Sequence, residues 1–122
     1  MKFDRLFTSA GTGASESVSF VPRTSRIINP DGTIVFEAKD IMVPENWTQV
    51  AVDIIAQKYF RKAGVPAKLR KVPEDGVPVW LQRSVEDTEA LASLAEEDRY
   101  GMERDAQAVF NRMAGCWAYW GW

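Results

Sequence analysis

The strongest constraint on this chain is its aromatic segment at residues 116–122, which reads Cys-Trp-Ala-Tyr-Trp-Gly-Trp. Four of these seven residues carry large rings, and burying such rings is strongly favourable. Chain termini are usually polar because nothing there needs burial. We therefore expect this segment to belong to an element that further protein completes, and we expect that the chain does not act alone.

Composition excludes most kinds of self-contained catalyst. The 122 residues include one cysteine and no histidine. The chain can therefore form no internal disulfide, no dithiol redox couple, no Ser-His or Cys-His nucleophile pair and no zinc site of the Cys/His type. The sequence predicts no catalytic, cofactor-binding or metal-binding residue in this chain and leaves its status as an enzyme uncertain.

Charge and hydropathy argue against two classes of partner. The formal net charge of −2 provides no basic field for nucleic acid or for an anionic membrane. The apolar runs are far shorter than a membrane span, and the first residues lack the apolar stretch of a signal peptide. We expect a single cytoplasmic domain over residues 1–122 that binds neither nucleic acid nor membrane.

A turn signal predicts β structure in the first third of the chain. Asn29-Pro30-Asp31-Gly32 lies between two runs of β-branched residues. Proline presets the backbone for a turn and glycine accepts positive φ, which is typical of a β-hairpin. We place this hairpin at residues 24–38 and expect a short extended piece at 39–43.

Apolar residues at helical spacing predict two long helices. The first covers residues 45–63, begins with acidic and polar residues and stops at Gly64. The second covers residues 102–120, and a short helix within 84–98 opens with a loose capping box at Ser84 and Asp87. The expected core stripe of the first helix is Trp47, Val50, Ala51, Ile54, Ile55, Lys58 and Tyr59, and Phe60 widens it. The expected core stripe of the second helix is Met102, Ala106, Val109, Phe110, Met113, Trp117 and Trp120.

These elements predict an α+β fold. An N-terminal β-hairpin or small sheet would pack on two long amphipathic helices and one short helix.

Three motifs suggest chemistry but have simpler interpretations. Gly11-Thr12-Gly13 lacks the preceding strand and third glycine of a dinucleotide-binding loop, so we interpret it as a plain loop. The acids at 96–98 are adjacent and point in different directions, which favours a solvated surface over a metal or acid–base site. A basic cluster, interpreted as a solvated connector with phosphate contact as the alternative, comprises Arg61, Lys62, Lys68, Arg70, Lys71 and Arg83.

Segments along nearly the whole chain also form a recognisable series. The most specific reads Ile-Ile-Ala-Gln-Lys-Tyr-Phe-Arg-Lys-Ala-Gly-Val-Pro over residues 54–66. The others are residues 1–7, 29–32, 34–37, 43–44, 47, 77–81 and 114–122. Together they resemble the N-terminal region of adenosylcobalamin-dependent (class II) ribonucleotide reductases.

This resemblance implies a parent protein that reduces ribonucleotides to deoxyribonucleotides for DNA synthesis. In the family, adenosylcobalamin homolysis generates a radical that passes to a cysteine thiol, and a cysteine pair supplies the electrons. The barrel that carries these cysteines and the cobalamin and nucleotide sites follows the N-terminal region. None of its motifs occurs here and Cys116 matches none of them, so the resemblance assigns no site residue and no bound cofactor to this chain.

The resemblance therefore implies a non-catalytic N-terminal domain that docks on the catalytic remainder of the reductase through Met113–Trp122. A contact with a nucleotide stays open, as does the origin of the chain as a cut piece, a split-gene product or a segment beside an insertion. The alternative is an independent nucleotide- or protein-binding regulatory module that uses Lys68, Arg70 and Lys71. A third interpretation is a small structural adapter that docks through its C-terminal helix.

Overall fold

A long antiparallel hairpin forms the first part of the fold. The computed structural model describes residues 4–122, so the first three residues of the opening segment 1–7 lie outside it. Strands β1 (Phe20–Ile28) and β2 (Ile34–Pro44) pair through a turn in which the Asn29 N–H donates to the Thr33 carbonyl at 2.8 Å. Gly32 adopts a φ of 88°, which glycine takes without steric cost. The predicted hairpin is confirmed and is longer than 24–38, because the piece at 39–43 belongs to β2.

A β-bulge bends this hairpin near its middle. Lys39 and Asp40 of β2 together oppose the single residue Thr24 of β1. Asp40 has a φ of 54°, in the left-handed region where most L-residues lose about 1–2 kcal/mol. A short polar side chain tolerates this conformation better than a branched one. The next residue of β1, Ser25, is fully buried and faces the first helix.

We expect Asp40→Val to lower the free energy of unfolding by about 1–2 kcal/mol, because a β-branched residue is strained at positive φ. Asp40→Asn should change it by less than about 0.5 kcal/mol, since asparagine tolerates the left-handed region. Urea denaturation of the 122-residue chain measures both. Equal stability of the valine and asparagine variants would show that the bulge conformation carries no strain.

The first helical segment is shorter than predicted. Helix α1 (Gln49–Ile54) begins after Thr48, whose hydroxyl accepts a hydrogen bond from the Ala51 N–H at 3.3 Å. It continues as a π-helical turn, Ile55–Tyr59, and the chain becomes extended at Phe60. The predicted helix at 45–63 is therefore wrong at both ends, because the threonine cap lies inside it and the helix stops before Gly64.

The buried face of this segment also differs from the predicted stripe. The helix is apolar on two faces, and spacing alone does not decide which one meets the hairpin. Val50, Ile54 and Tyr59 of the predicted stripe are half-exposed or more. The hairpin instead covers a neighbouring face, where Val52, Ile55, Ala56 and Phe60 are buried. Of the predicted residues, Ile55 and Phe60 therefore do lie in the core.

The hairpin and this helical segment enclose the main core. Ala38, Ile41 and Val43 of β2 are almost completely buried against that face. A buried polar group lies at the same contact, where the Ser25 hydroxyl donates to Asp53 Oδ1 at 2.7 Å and accepts from Gln57 Nε2 at 3.2 Å. A buried hydroxyl with both partners in place avoids the cost of an unpaired polar group.

The middle of the chain folds into small antiparallel pairs. Strand β3 (Val65–Pro66) pairs with β6 (Tyr100–Gly101), and β4 (Leu69–Lys71) pairs with β5 (Ser84–Glu86). Helix α2 (Thr88–Ala92) is the predicted short helix, and a single 3-10 turn follows at Glu96–Asp98.

The predicted capping box of the short helix is wrong. The side chain of Asp87, not Ser84, caps α2 by accepting from the Ala90 N–H at 3.1 Å. Ser84 lies in β5, where pairing with β4 keeps its backbone extended.

Helix α3 (Ala106–Gly121) is the long helix of the fold and spans 16 residues. It begins later than the predicted 102 because Asp105 caps it, accepting from the Gln107 N–H at 2.8 Å. Only its first turns enter the core, where Ala106 and Val109 are buried. The α+β class is confirmed, but among residues 4–122 the structure has one long helix rather than two.

A buried carboxylate fixes the start of α3. The Glu103 side chain is 2% exposed, and it accepts from Arg61 Nε at 2.7 Å, from the Arg61 backbone N–H at 3.0 Å and from Arg112 Nη2 at 3.1 Å. Burial alone would raise the pKa of Glu103. The hydrogen bonds from Arg112 and Arg61 outweigh it and lower the pKa from 4.5 to about 2.

The Glu103 carboxylate should make the free energy of unfolding depend on pH. Its pKa is lower in the folded state than in the unfolded chain, so its contribution is complete above about pH 4.5 and is lost as the pH falls toward 2. We expect Glu103→Gln to lower the free energy of unfolding by about 3 kcal/mol at pH 7. The difference in this free energy between wild type and variant should narrow to about 1 kcal/mol at pH 3.

Urea unfolding at the two pH values measures this gap. Glu97→Gln, at an exposed acid of the 3-10 turn, is the control and should show no such gap. A Glu103→Gln variant as stable as wild type at pH 7 would contradict the assigned role of the carboxylate.

Candidate docking surface

An open apolar groove lies between α1 and α3. It has a volume of ≈ 370 Å³. Its walls come from the face of α1 that the hairpin leaves uncovered and from the middle of α3. The lining residues are Trp47, Ala51, Ile54, Ile55, Tyr59, Val109, Phe110 and Met113.

An aromatic pair forms one end of this groove. The rings of Trp47 and Phe110 meet edge to face, with centroids 5.9 Å apart and planes at 77°. The backbone carbonyl of Trp47 accepts from Arg23 Nη1 at 3.1 Å, which ties this end to the hairpin. Phe110 is nevertheless 42% exposed, so the pair lines an accessible surface. Both residues belong to the predicted core stripes, and the structure places them at the margin of the core.

The same face of α3 continues beyond the groove. At about 100° per residue, Phe110, Met113, Trp117 and Trp120 fall within about 80° of one another around the helix. Trp117 is 63% exposed and Trp120 is 76% exposed. Their predicted place in the core stripe is therefore wrong, because the helix extends past the core. The structure therefore brings the predicted aromatic segment and the groove onto one surface. We call it the α1–α3 apolar face, and it comprises Trp47, Ile54, Tyr59, Phe110, Met113, Trp117 and Trp120.

The opposite side of α3 makes polar contacts with the rest of the domain. The Tyr119 hydroxyl donates to the Glu74 carboxylate, with its oxygen 2.7 Å and 2.9 Å from the two carboxylate oxygens. Trp122 Nε1 donates to the Gly76 carbonyl at 2.8 Å. The hydrogen bond to Glu74, together with burial, raises the pKa of Tyr119. Both contacts are made to the turn that follows β4.

The basic cluster does not converge on one site. Arg61 is engaged by Glu103, and the Lys62 ammonium lies 4.3 Å from the centre of the Phe36 ring and donates to the Ala56 carbonyl. Burial, and secondarily the charge of Lys58, lowers the pKa of Lys62. These two residues therefore stabilise the end of the first helical segment.

The strand β4 separates the remaining basic residues. Lys71 Nζ donates to the Gln82 carbonyl at 2.8 Å. Successive side chains of a strand point to opposite faces, which places Arg70 on the face opposite Lys71. This arrangement does not build the convergent pocket that a phosphate group prefers.

The other sequence motifs do not come together into a site in the part of the chain that the structure describes. The acids at 96–98 lie on an exposed 3-10 turn, and residues 11–13 lie in a turn followed by no helix. Cys116 is exposed on α3. Over residues 4–122, no group of three His, Cys, Asp or Glu side chains is arranged to hold a metal ion. In the same range, no helix has both the length and the apolar character needed to cross a membrane.

Sequence reasoning missed two features that shape this surface. One is the Glu103 site, whose partners are 42 and 9 residues away in sequence. The other is the pairing of Tyr119 with Glu74, 45 residues apart. No local pattern signals either of them. The only hint is that Glu103 is an acid beside an apolar stripe.

Comparisons with known proteins match the part of the sequence that carries the α1–α3 apolar face. A family model described as class II vitamin B12-dependent ribonucleotide reductase matches residues 21–122. The vitamin B12-dependent ribonucleotide reductase of Bradyrhizobium diazoefficiens is 52% identical over 122 residues, and that of Agrobacterium fabrum is 53% identical over 122 residues. A more distant relative of the same name from Streptomyces coelicolor is 28% identical over 107 residues, which is 84% of this chain and 11% of the relative.

The matches cover all of this chain and only a small part of each relative. The two proteins above 50% identity are matched over 100% of this chain and 10% of their own length. The matched part is their N-terminal part, which confirms the resemblance carried above all by residues 54–66 and 114–122. This chain therefore belongs to the class II vitamin B12-dependent ribonucleotide reductase family and is an N-terminal domain of that family.

Proposed function

We propose that this domain is a non-catalytic docking module of a cytoplasmic reductase that converts ribonucleotides to deoxyribonucleotides. Its α1–α3 apolar face would pack against the catalytic remainder of that protein. The observation that carries the proposal is the continuous row of exposed apolar side chains from the groove to Trp120. The domain makes up about a tenth of its relatives, so most of the surface available to cover this row belongs to the remainder.

The energetics of the apolar face support a protein partner. Burying a large apolar side chain contributes about 1.5–3 kcal/mol, and tryptophan is enriched among residues that dominate binding energy. The helix end offers two such side chains, and the groove beside them offers a concave surface. An exposed apolar ridge beside a concave groove is typical of a surface that packs against another protein.

Electron transfer and radical chemistry would reside in the remainder. The one cysteine, Cys116, cannot form the redox pair that the reduction needs. The groove also does not suit adenosylcobalamin, a large corrin with many amide groups. It is open and is lined chiefly by aliphatic and aromatic side chains, which offer few partners to those amides. We therefore assign the cobalamin site to the remainder.

No structural observation favours the alternative of an independent nucleotide-binding module. Its candidate residues Lys68, Arg70 and Lys71 are exposed on or beside β4 and do not share one face. Calorimetric titration with ATP and deoxynucleotides still distinguishes the two functions. Micromolar binding that disappears on charge reversal at these three residues would replace the docking proposal with the regulatory one.

The docking proposal predicts a specific loss of affinity. We expect the 122-residue chain to form a stoichiometric complex with the remainder of the reductase, and we expect Trp117→Ala and Trp120→Ala each to weaken it about 10- to 30-fold or more. Isothermal titration calorimetry measures these dissociation constants. Restored ribonucleotide reduction in the mixture is the second readout.

Trp80→Ala is the matched control. Trp80 is 69% exposed, much like the two helix residues, but it lies in the connector outside α1 and α3. It should change the affinity less than twofold. If all three tryptophan variants bind equally well, the apolar face is not the docking surface and the proposal fails.

A further inference from the structure

We infer that the turn at Glu74–Val77 is a clasp that sets the orientation in which α3 presents Trp117 and Trp120. This inference rests on the proposed docking function and adds a positioning role to it. The clasp would act through the hydrogen bonds that Glu74 and Gly76 accept from Tyr119 and Trp122. The residues that touch the partner would be the tryptophans on the other side of the helix.

Burial holds only the first part of α3. Val109 is the last residue of this helix that is fully buried, and the half-buried Met113 is the last that packs against the core. At about 1.5 Å per residue, roughly 12 Å of helix lies between Met113 and Gly121. Contacts of this part of the helix with the rest of the domain therefore help to set its direction.

The contacts that Tyr119 and Trp122 make lie on the side of α3 that faces away from Trp117 and Trp120. At about 100° per residue, Tyr119 and Trp122 are centred about 160° from Trp117 and Trp120 around the helix axis. Arg112, which donates to Glu103 and to the Tyr59 carbonyl, lies within about 20° of Tyr119. One side of α3 is thus hydrogen-bonded to its own domain at two levels. On the opposite side, Ala106, Val109 and Met113 pack toward the core. Beyond them, Trp117 and Trp120 extend past the core and are left for the partner.

Several hydrogen bonds support the turn at Glu74–Val77 itself. The Val77 N–H donates to the Glu74 carbonyl at 3.2 Å, and Gly76 adopts a φ of 77°. Gln82 Nε2 then donates to the Val77 carbonyl at 3.0 Å, while the Gln82 carbonyl accepts from Lys71. Lys71 of the basic cluster therefore supports the segment that holds this turn, which gives it a role unrelated to phosphate.

The test follows amide hydrogen exchange along α3 in the complete reductase and in the 122-residue chain. Tyr119→Phe removes the hydroxyl and keeps the ring. We expect exchange over residues 113–121 to become about fivefold faster in both proteins, since a single hydrogen bond is lost. Glu74→Ala should have the same effect and should add nothing to Tyr119→Phe, because the two variants remove one interaction. Glu74→Gln keeps an acceptor and should stay near wild type.

Tyr100→Phe is the matched control. The Tyr100 hydroxyl donates to Glu86 Oε2 at 2.9 Å, which is the same kind of bond outside α3. It should leave exchange over 113–121 unchanged. If Tyr119→Phe and Tyr100→Phe behave alike there, the clasp inference is overturned.

A second arm separates this inference from the docking proposal. Trp117→Ala in the complete reductase should speed exchange over both 113–121 and the groove residues 50–59, because the covered face is released. An unchanged pattern in this variant would overturn docking at this face, and with it the presentation role of the clasp. Normal release by Trp117→Ala together with no effect of Tyr119→Phe would overturn the clasp alone.

Discussion

The position of α3 depends on one buried charge. Glu103 joins the end of the π-helical turn, through Arg61, to the second turn of α3, through Arg112. A carboxylate that is almost completely buried is stable only when charged partners and hydrogen bonds replace water, and here four donor groups do so. This contact holds the first half of α3 beside α1, while Ala106 and Val109 are buried in the core and Met113 packs against it. The polar contact and these apolar contacts together position the α1–α3 apolar face.

Local chemistry made part of the fold predictable from sequence. The prediction of the hairpin turn was correct because proline, aspartate and glycine set the backbone conformation of the turn within four residues. The start of the first helix was wrong because the acidic and polar residues after Pro44 were taken as its first turn, although the Thr48 hydroxyl satisfies a free N–H group at the helix start. The buried side of this segment was predicted only in part: Ile55 and Phe60 are buried, whereas Val50, Ile54 and Tyr59 are exposed. The reason is that two apolar faces compete, and only the hairpin decides between them.

One part of the candidate surface was predictable from the sequence, and another part was not. The ring-rich segment at 116–122 signalled exposed apolar surface, because its composition alone makes complete burial in a small domain difficult. The groove beside it was not predictable, since it depends on which helix face the hairpin leaves uncovered. The basic cluster looked like a site in sequence, but strand alternation and the partners of Arg61 and Lys62 disperse it.

The π-helical turn at Ile55–Tyr59 has a consequence for how this sequence can vary. The turn holds one more residue than an α-helical turn would between the same two points. Removing that residue would restore regular α-helical winding and leave the residues on either side in place, so Arg61 and Lys62 would keep their partners. Removing a residue from α1 would instead rotate everything after it by about 100°, and Arg61 would leave its carboxylate. The π-helical turn is therefore the position in this segment that accommodates a one-residue change in length.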